Sequence, residues 1–279
     1  MTNPYIPTPV KIEGVTLENE ARDIKTFKFS FVNKEDEGNF SFLPGQFAEL
    51  SILGMGESPI GIASSPTEKG YLLFTVKRAG VVTTKLHRCA IGETIGLRGP
   101  LGNTYPLEMM KGRNVLIIGG GFAFTTLRSM IKYIIEPDNR KQFNELIVIY
   151  GARTPGELLY KEELWEWEQR KDMKTVITVD KANGDWQRYV GVVPKVLHEI
   201  APSAQDTIAL VCGPPIMIKY TLPVLGELEF KPESFFLSLE MRMKCGIGKC
   251  GRCNIGHKYV CKDGPVFSFA QLQKLPSEY

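Results

Sequence analysis

No apolar run in this chain reaches about 18 residues, the length a membrane-spanning helix needs, so no span is expected. The N-terminus, residues 1–9, lacks the basic and then apolar pattern of a secretory leader. Charge of one sign is scarce as well. The net value is +3 at pH 7 over 279 residues, and the lysines and arginines are spread along the chain. That leaves no electrostatic case for nucleic acid. No internal repeat and no low-complexity segment is present. Cysteine is sparse: outside one C-terminal stretch only Cys89 and Cys212 occur. A disulfide framework is therefore disfavoured, and a cytoplasmic, reducing location is the expectation.

That C-terminal stretch is where the chemistry concentrates. Cys245, Cys250, Cys253 and Cys261 follow the spacing C-x4-C-x2-C-x7-C. Thiolates are soft ligands that suit iron–sulfur clusters. The first three cysteines have the spacing of plant-type [2Fe–2S] sites, which take a fourth, more distant cysteine. Gly246, Gly248, Gly251 and Gly256 are interleaved with them and permit the left-handed backbone of a tight ligand loop. Structural zinc is the competing reading, but it usually takes two close ligand pairs, and only one C-x2-C is present.

Apolar content of 43% and charged content of 23% are ordinary for a globular protein. The length suits two domains plus an appendage. The first third reads as short strands separated by turns, over residues 26–32, 46–53, 59–65, 71–77 and 94–98. Residues 33–38 form a polar turn, and one helix spans 82–89. Phe27, Phe29 and Phe31 alternate as a half-buried strand should. This pattern predicts a small antiparallel barrel. From residue 114 the pattern changes. An apolar run enters Gly119, Gly120 and Gly121 and then a helix over 124–135. Strands are expected over 145–150, 174–179, 207–212 and 234–239. Helices are expected over 156–170, 193–200 and 215–229, the last kinked at Pro223. Such alternation predicts a doubly wound parallel sheet.

A glycine turn between strand and helix lets backbone N–H groups meet a pyrophosphate. Gly119, Gly120 and Gly121 fit this only loosely, because Phe124 occupies the third glycine position of the dinucleotide fingerprint; a plain strand-to-helix turn is an equal reading. Cys212, Gly213, Pro214 and Met217 occupy a second strand end, where ligands of open α/β sheets bind. Cys212 itself also fits an ordinary small buried residue. In the barrel, Gly80, Val81, Val82, Thr83 and Thr84 open the lone helix; such a start is compatible with a phosphate site, but on these residues alone a simple cap is the favoured reading.

Taken together, the barrel, the α/β half and Cys212 to Pro215 resemble the ferredoxin–NADP reductase superfamily. With residues 242–253 and 259–267, the chain resembles an iron–sulfur flavoprotein branch of it. That branch includes the B subunit of anaerobic sulfite reductase, the gamma subunit of soluble hydrogenase (sulfhydrogenase) and, more distantly, the electron-transfer subunit of dihydroorotate dehydrogenase. The resemblance implies an FAD-binding β-barrel over 1–110, an NAD(P)-binding α/β domain over 111–233 and a [2Fe–2S] lobe over 234–279. It implies FAD contacts at Pro59, Ile60, Gly61, Ile62, Ala63 and Ser64, at residues 80–84, and at Gly102 and Asn103. The nicotinamide nucleotide falls on Gly119, Gly120, Gly121, Arg153, Asp180, Cys212, Gly213, Pro214 and Met217. The reacting centre falls on Gly61, Cys212 and Glu240.

Some positions depart from the family pattern. Ser58 replaces an arginine, Gly61 a hydroxyl residue, Ala123 a glycine and Thr126 a proline. Loss of the hydroxyl at Gly61 removes a hydrogen bond worth roughly 0.5–1.5 kcal/mol. Asp180 would repel a 2′-phosphate and so favours NADH, while Arg153 and Lys181 leave NADPH open. The implied activity is that of an NAD(P)H-dependent oxidoreductase subunit. It would pass electrons between NAD(P)H, FAD, the [2Fe–2S] cluster and a partner subunit of a hydrogenase or sulfite reductase type complex, in either direction. The alternative is an electron relay or assembly adaptor that binds flavin and cluster without nicotinamide chemistry.

Overall fold

The computed structural model describes residues 3–240 and 242–276. The chain divides into two compact units. One comprises Met1–Tyr105, Arg128–Tyr133 and Glu240–Pro265, the other Pro106–Leu127, Ile134–Leu239 and Val266–Tyr279.

In the first unit, β1 (Thr8–Leu17), β2 (Ile24–Phe31), β3 (Phe47–Ile52), β4 (Gly56–Gly61), β5 (Leu72–Lys77) and β6 (Thr94–Leu101) form one antiparallel sheet in the order β4-β3-β6-β1-β2-β5. The segment after β4 closes the sheet on β5: Ala63 N–H donates to the Leu73 carbonyl and Leu73 N–H to the Ser64 hydroxyl. Phe27, Phe29 and Phe74 are fully buried inside, with Phe31 packed at the margin of this core. Strand β1 is absent from the sequence reading, although Val10 and Ile12 alternate inward on either side of Lys11. Residues 33–38, expected as a turn, belong largely to a short helix, α1 (Lys34–Asn39). Glu35, Asp36 and Glu37 lie in its first turn, where the helix dipole favours acids. The expected lone helix is α2 (Val81–Leu86).

In the second unit, β7 (Asn114–Gly120), β8 (Leu146–Ala152), β9 (Lys174–Val179), β10 (Tyr189–Val190), β11 (Thr207–Cys212) and β12 (Phe235–Ser238) run parallel, in the order β10-β9-β8-β7-β11-β12. Helices α3 (Phe124–Ile135), whose middle, Arg128–Tyr133, belongs to the first unit, α4 (Lys161–Gln169), α5 (Val193–Ile200) and α6 (Pro215–Glu227) alternate with these strands along the chain. The sheet is not purely parallel, because β13 (Val266–Ser268) joins β12 as an antiparallel edge. The helix expected over 156–170 starts only at Lys161. Pro155, the fully buried Leu158 and Leu159, and the left-handed Tyr160 (φ 52°) hold the preceding chain out of helix. No helix among the described residues is long and apolar enough to cross a membrane.

Candidate functional site

The cysteine loop lies wholly in the first unit. Gly246, Gly248 and Gly251 take φ of +70°, +72° and +74°, the left-handed region that the alternation of glycine and cysteine implies. A side chain at Gly246 would fail twice, since its Cβ would also stand 2.6 Å from Leu101 Cδ1. These turns aim main-chain donors at sulfur. The N–H groups of Lys249 and Cys250 approach Cys245 Sγ at 3.2 and 3.4 Å, and Gly248 N–H approaches Cys261 Sγ at 3.1 Å. Cys253 and Cys261 are buried with sulfurs 3.3 Å apart. Cys245 is half-buried and Cys250 exposed.

Electrostatics separates these thiols. Burial alone would raise Cys245, but N–H donors from Ile247, Cys250 and Lys249 hold it down at about 6. Burial pushes Cys261 up to about 12, with the neighbouring Cys253 adding to the effect. Among the described residues no three His, Cys, Asp or Glu side chains converge as a single metal ion would require. The sulfurs come in pairs instead: Cys253 meets Cys261, and Cys245 meets Cys250 through a side-chain hydrogen bond. Two thiolates per iron, with N–H donors to sulfur, is the donor set of a [2Fe–2S] centre, so these residues fit that group.

The loop is fastened to the barrel. Arg98 on β6 donates to the Cys245 carbonyl at 2.9 Å. Asn103 donates through its N–H to the Gly264 carbonyl and through its side chain to that of Asp263. Gly102 (φ +76°) lies so close that a Cβ would meet Pro265 at 2.7 Å. Gly102 and Asn103, expected from the resemblance beside the flavin, thus lie against the segment that follows Cys261.

Sequence reasoning missed Glu49 on β3, directly opposite Arg98 in the strand register. Glu49 is 0% exposed, and neither carboxylate oxygen has a hydrogen-bond partner among the described residues. An acid at an inward position of an apolar strand was the available signal. Burial pushes its carboxyl up to about 7, only partly opposed by Arg98. Because the folded value exceeds the ordinary one, the folded state holds the extra proton. Stability contributed by Glu49 is full below about pH 4.5 and lost as pH rises to about 7. Glu49→Gln is expected to flatten that decline in denaturant midpoints of the apoprotein measured across this window.

The flavin-assigned segments share the same unit. Ile62, Ala63 and Ser64 are buried, whereas Pro59, Ile60 and Gly61 remain partly open on β4. Arg128 and Ser129 of α3 fix the buried part by donating to the carbonyls of Ala63 and Ser64 at 2.8 and 2.7 Å. At the start of α2 the Thr83 hydroxyl accepts from the N–H groups of Ala79 and Gly80, so it caps the turn. Val81 is exposed and Val82 and Thr84 partly so, and the first-turn N–H groups of a helix lack main-chain acceptors. Glu240 stays solvent-accessible, yet enough protein surrounds its carboxyl for desolvation to raise it.

The nucleotide-assigned residues meet in the second unit. Numbered along the chain within the parallel sheet alone, the order is 4-3-2-1-5-6 about β7, and the switch point lies between β7 and β11. There Gly119 pairs with Cys212. A pocket of about 490 Å³ opens at these strand ends, and Gly120, Gly121, Arg153, Asp180, Pro214 and Met217 all line it. Val193, Pro194 and Tyr220 line it too and were not foreseen. A Cβ at Gly120 would stand 2.2 Å from Met217 Sδ, and one at Gly213 2.2 Å from Met217 Cε, so either would displace the end of the Met217 side chain that packs on this bare backbone. Backbone laid this bare suits a pyrophosphate, so these residues fit a dinucleotide.

The departures from the fingerprint have structural counterparts. Phe124 is fully buried, stacks on Tyr150 at 3.9 Å and sits where a Cβ on Gly119 would meet its ring at 2.3 Å. The Thr126 hydroxyl donates to the Ala123 carbonyl and lies 3.5 Å from Cys212 Sγ. Cys212 is 2% exposed and also 3.5 Å from the Ser238 carbonyl.

Family models match in the same three places. An oxidoreductase FAD-binding domain matches residues 14–105, an oxidoreductase NAD-binding domain 117–222, and the iron–sulfur cluster binding domain of dihydroorotate dehydrogenase B 240–273. The sulfhydrogenase 1 subunit gamma of Pyrococcus furiosus is 37% identical over 98% of this chain and 94% of its own length. The chain belongs to the iron–sulfur branch of the ferredoxin–NADP reductase superfamily. A probable dihydroorotate dehydrogenase B (NAD(+)) electron transfer subunit of Thermococcus kodakarensis is 33% identical over 92% of this chain and 97% of its own. Among solved structures, that of the NADH-dependent reduced ferredoxin–NADP oxidoreductase covers 100% of this chain and 95% of its own. It has a TM-score of 0.73 at 25% identity. This family member therefore carries FAD-, NAD- and iron–sulfur-binding domains.

Proposed function

We propose that this chain is the electron-transfer subunit of a cytoplasmic hydrogenase or sulfite reductase type complex, moving electrons between NAD(P)H and a partner redox subunit. The observation that carries the reading is the cysteine loop. Its four thiols fall into two pairs, three of them accept main-chain N–H bonds, and the loop is tied to the barrel through Arg98 and Asn103. The gamma-subunit identity of the Pyrococcus relative supports the partner class.

When bound, nicotinamide, flavin and [2Fe–2S] supply hydride transfer, two-to-one electron conversion and one-electron transfer respectively. In this reading residues 1–110 serve the flavin, 111–233 the nicotinamide nucleotide and 234–279 the cluster. Pro59, Ile60, Gly61 and the first turn of α2 would bind the flavin, with Gly61 and Glu240 the residues that would serve its reaction. Gly120, Gly121 and Pro214 cradle the pyrophosphate. Cys245, Cys250, Cys253 and Cys261 would hold the cluster.

Anaerobic titration with NADH, followed by flavin absorbance, tests the reading. Bleaching by NADH is expected; bleaching by dithionite alone would leave only the relay or adaptor role. One zinc per chain with no iron or acid-labile sulfide would remove the cluster. Asp180 lines the pocket next to Arg153. Asp180→Asn is expected to raise the ratio of kcat/KM for NADPH over NADH about tenfold, by lifting repulsion of a 2′-phosphate.

A further inference from the structure

Arg98 is 6% exposed, and its guanidinium serves three separate segments at once. It donates to Glu57 twice, at 3.2 and 2.7 Å, to the Cys245 carbonyl at 2.9 Å and to the Pro4 carbonyl at 3.3 Å. Glu57 stands on β4, the strand that continues into Pro59, Ile60 and Gly61. One buried side chain therefore joins the strand carrying the flavin segment to the first cysteine of the cluster loop. Opposite it on β3 is Glu49, fully buried and with both oxygens lacking hydrogen-bond partners among the described residues.

We propose that Arg98 is a positioning residue for the iron–sulfur centre: it ties the Cys245 carbonyl to the flavin-bearing strand, and its buried charge, opposed by Glu49, sets how readily the centre accepts an electron. The inference rests on the assignment of the four cysteines as ligands. Its physical basis is that a cluster becomes more negative by one charge on reduction, and cluster potentials respond to local charge, hydrogen bonding and exposure. A guanidinium is always charged, and in a poorly solvated site its field is weakly screened. Arg98 therefore favours the reduced centre, and Glu49 when ionised opposes it. The charged groups around Glu49 are Arg98, Glu57, Lys244 and Cys245.

The test uses the full chain loaded with flavin and cluster, with iron and acid-labile sulfide measured in every variant. Arg98→Gln is expected to lower the EPR-monitored midpoint potential of the centre while the flavin midpoint holds. The expected drop in the equilibrium constant for one-electron reduction of the centre is about tenfold, or about 59 mV. Arg98→Lys keeps the charge and recovers part of that shift. Glu49→Gln, measured well above its own titration range, moves the midpoint the opposite way. A fully loaded Arg98→Gln with the wild-type midpoint overturns the proposal, as does an equal shift in Arg98→Lys and Arg98→Gln. Should Arg98→Gln fail to hold the centre, a fully loaded Glu49→Gln with an unchanged midpoint overturns it instead. Wild-type protein without iron and sulfide would overturn the cluster assignment itself, a result distinct from these.

Discussion

Cys253→Ser is expected to abolish the iron–sulfur centre and leave the flavin reaction in place. Cys253 is buried, its sulfur is 3.3 Å from Cys261 Sγ, and it accepts from the Cys261 N–H. Serine removes the soft thiolate and puts a hydroxyl in a pocket arranged for sulfur. Visible absorbance and the EPR signal of the reduced protein should disappear, with iron and sulfide falling together. Flavin content and its bleaching by NADH should persist. One-electron delivery to an artificial acceptor that draws from the cluster should fall by more than about 100-fold, beyond the cost of losing a residue that merely supports a ligand. Full retention of iron and sulfide in this variant would remove Cys253 from the ligand set.

The second large effect concerns stability. Arg128 is 4% exposed and donates to both oxygens of Glu68, at 3.0 and 3.1 Å, as well as to the Ala63 carbonyl. The Glu68 side chain is itself only 13% exposed. Burial would raise the Glu68 carboxyl, but hydrogen bonding and charge from Arg128 bring it below its ordinary value. Arg128→Met strands that carboxylate in a poorly solvated place and is expected to cost about 3–5 kcal/mol. The paired change Arg128→Met with Glu68→Leu should recover most of the loss, because both charges then leave together. The sign with pH follows from the lowered folded value. The Glu68 contribution is present above the ordinary carboxylate range and is lost as pH falls through the folded value. Urea midpoints of the wild type should therefore drop on that acid limb. Those of Arg128→Met should lack the drop, and a single variant within about 1 kcal/mol of wild type would refute the argument.

Much of this was legible in one dimension. Strand β9 and helix α5 fall where periodicity placed them, and β11 matches to the residue. The two strands are apolar runs buried almost throughout, the helix buries one face at the 3.6-residue repeat, and both signals are local information. The cysteine spacing and its glycines were equally readable, because a tight ligand loop needs left-handed backbone at positions only glycine fills cheaply. Strand β1 escaped notice because three prolines precede and enter it and its inward positions are few. The start of α4 was misplaced because Leu158 and Leu159 are drawn into the core, a tertiary demand that local pattern does not report.

By itself, then, the sequence determined the kinds of element, the spacing of the four cysteines and the order of the three binding regions, since each depends on residue type and spacing along the chain. Only the tertiary structure decided which distant residues meet. It set Arg98 against both Glu57 and the Cys245 carbonyl, and left Glu49 buried across the strand without a hydrogen-bond partner among the described residues. It also brought Gly119 beside Cys212 at the switch point of the sheet. Strand register and loop closure bring these together, and the energies of both come from burial summed over many side chains that no single stretch contains.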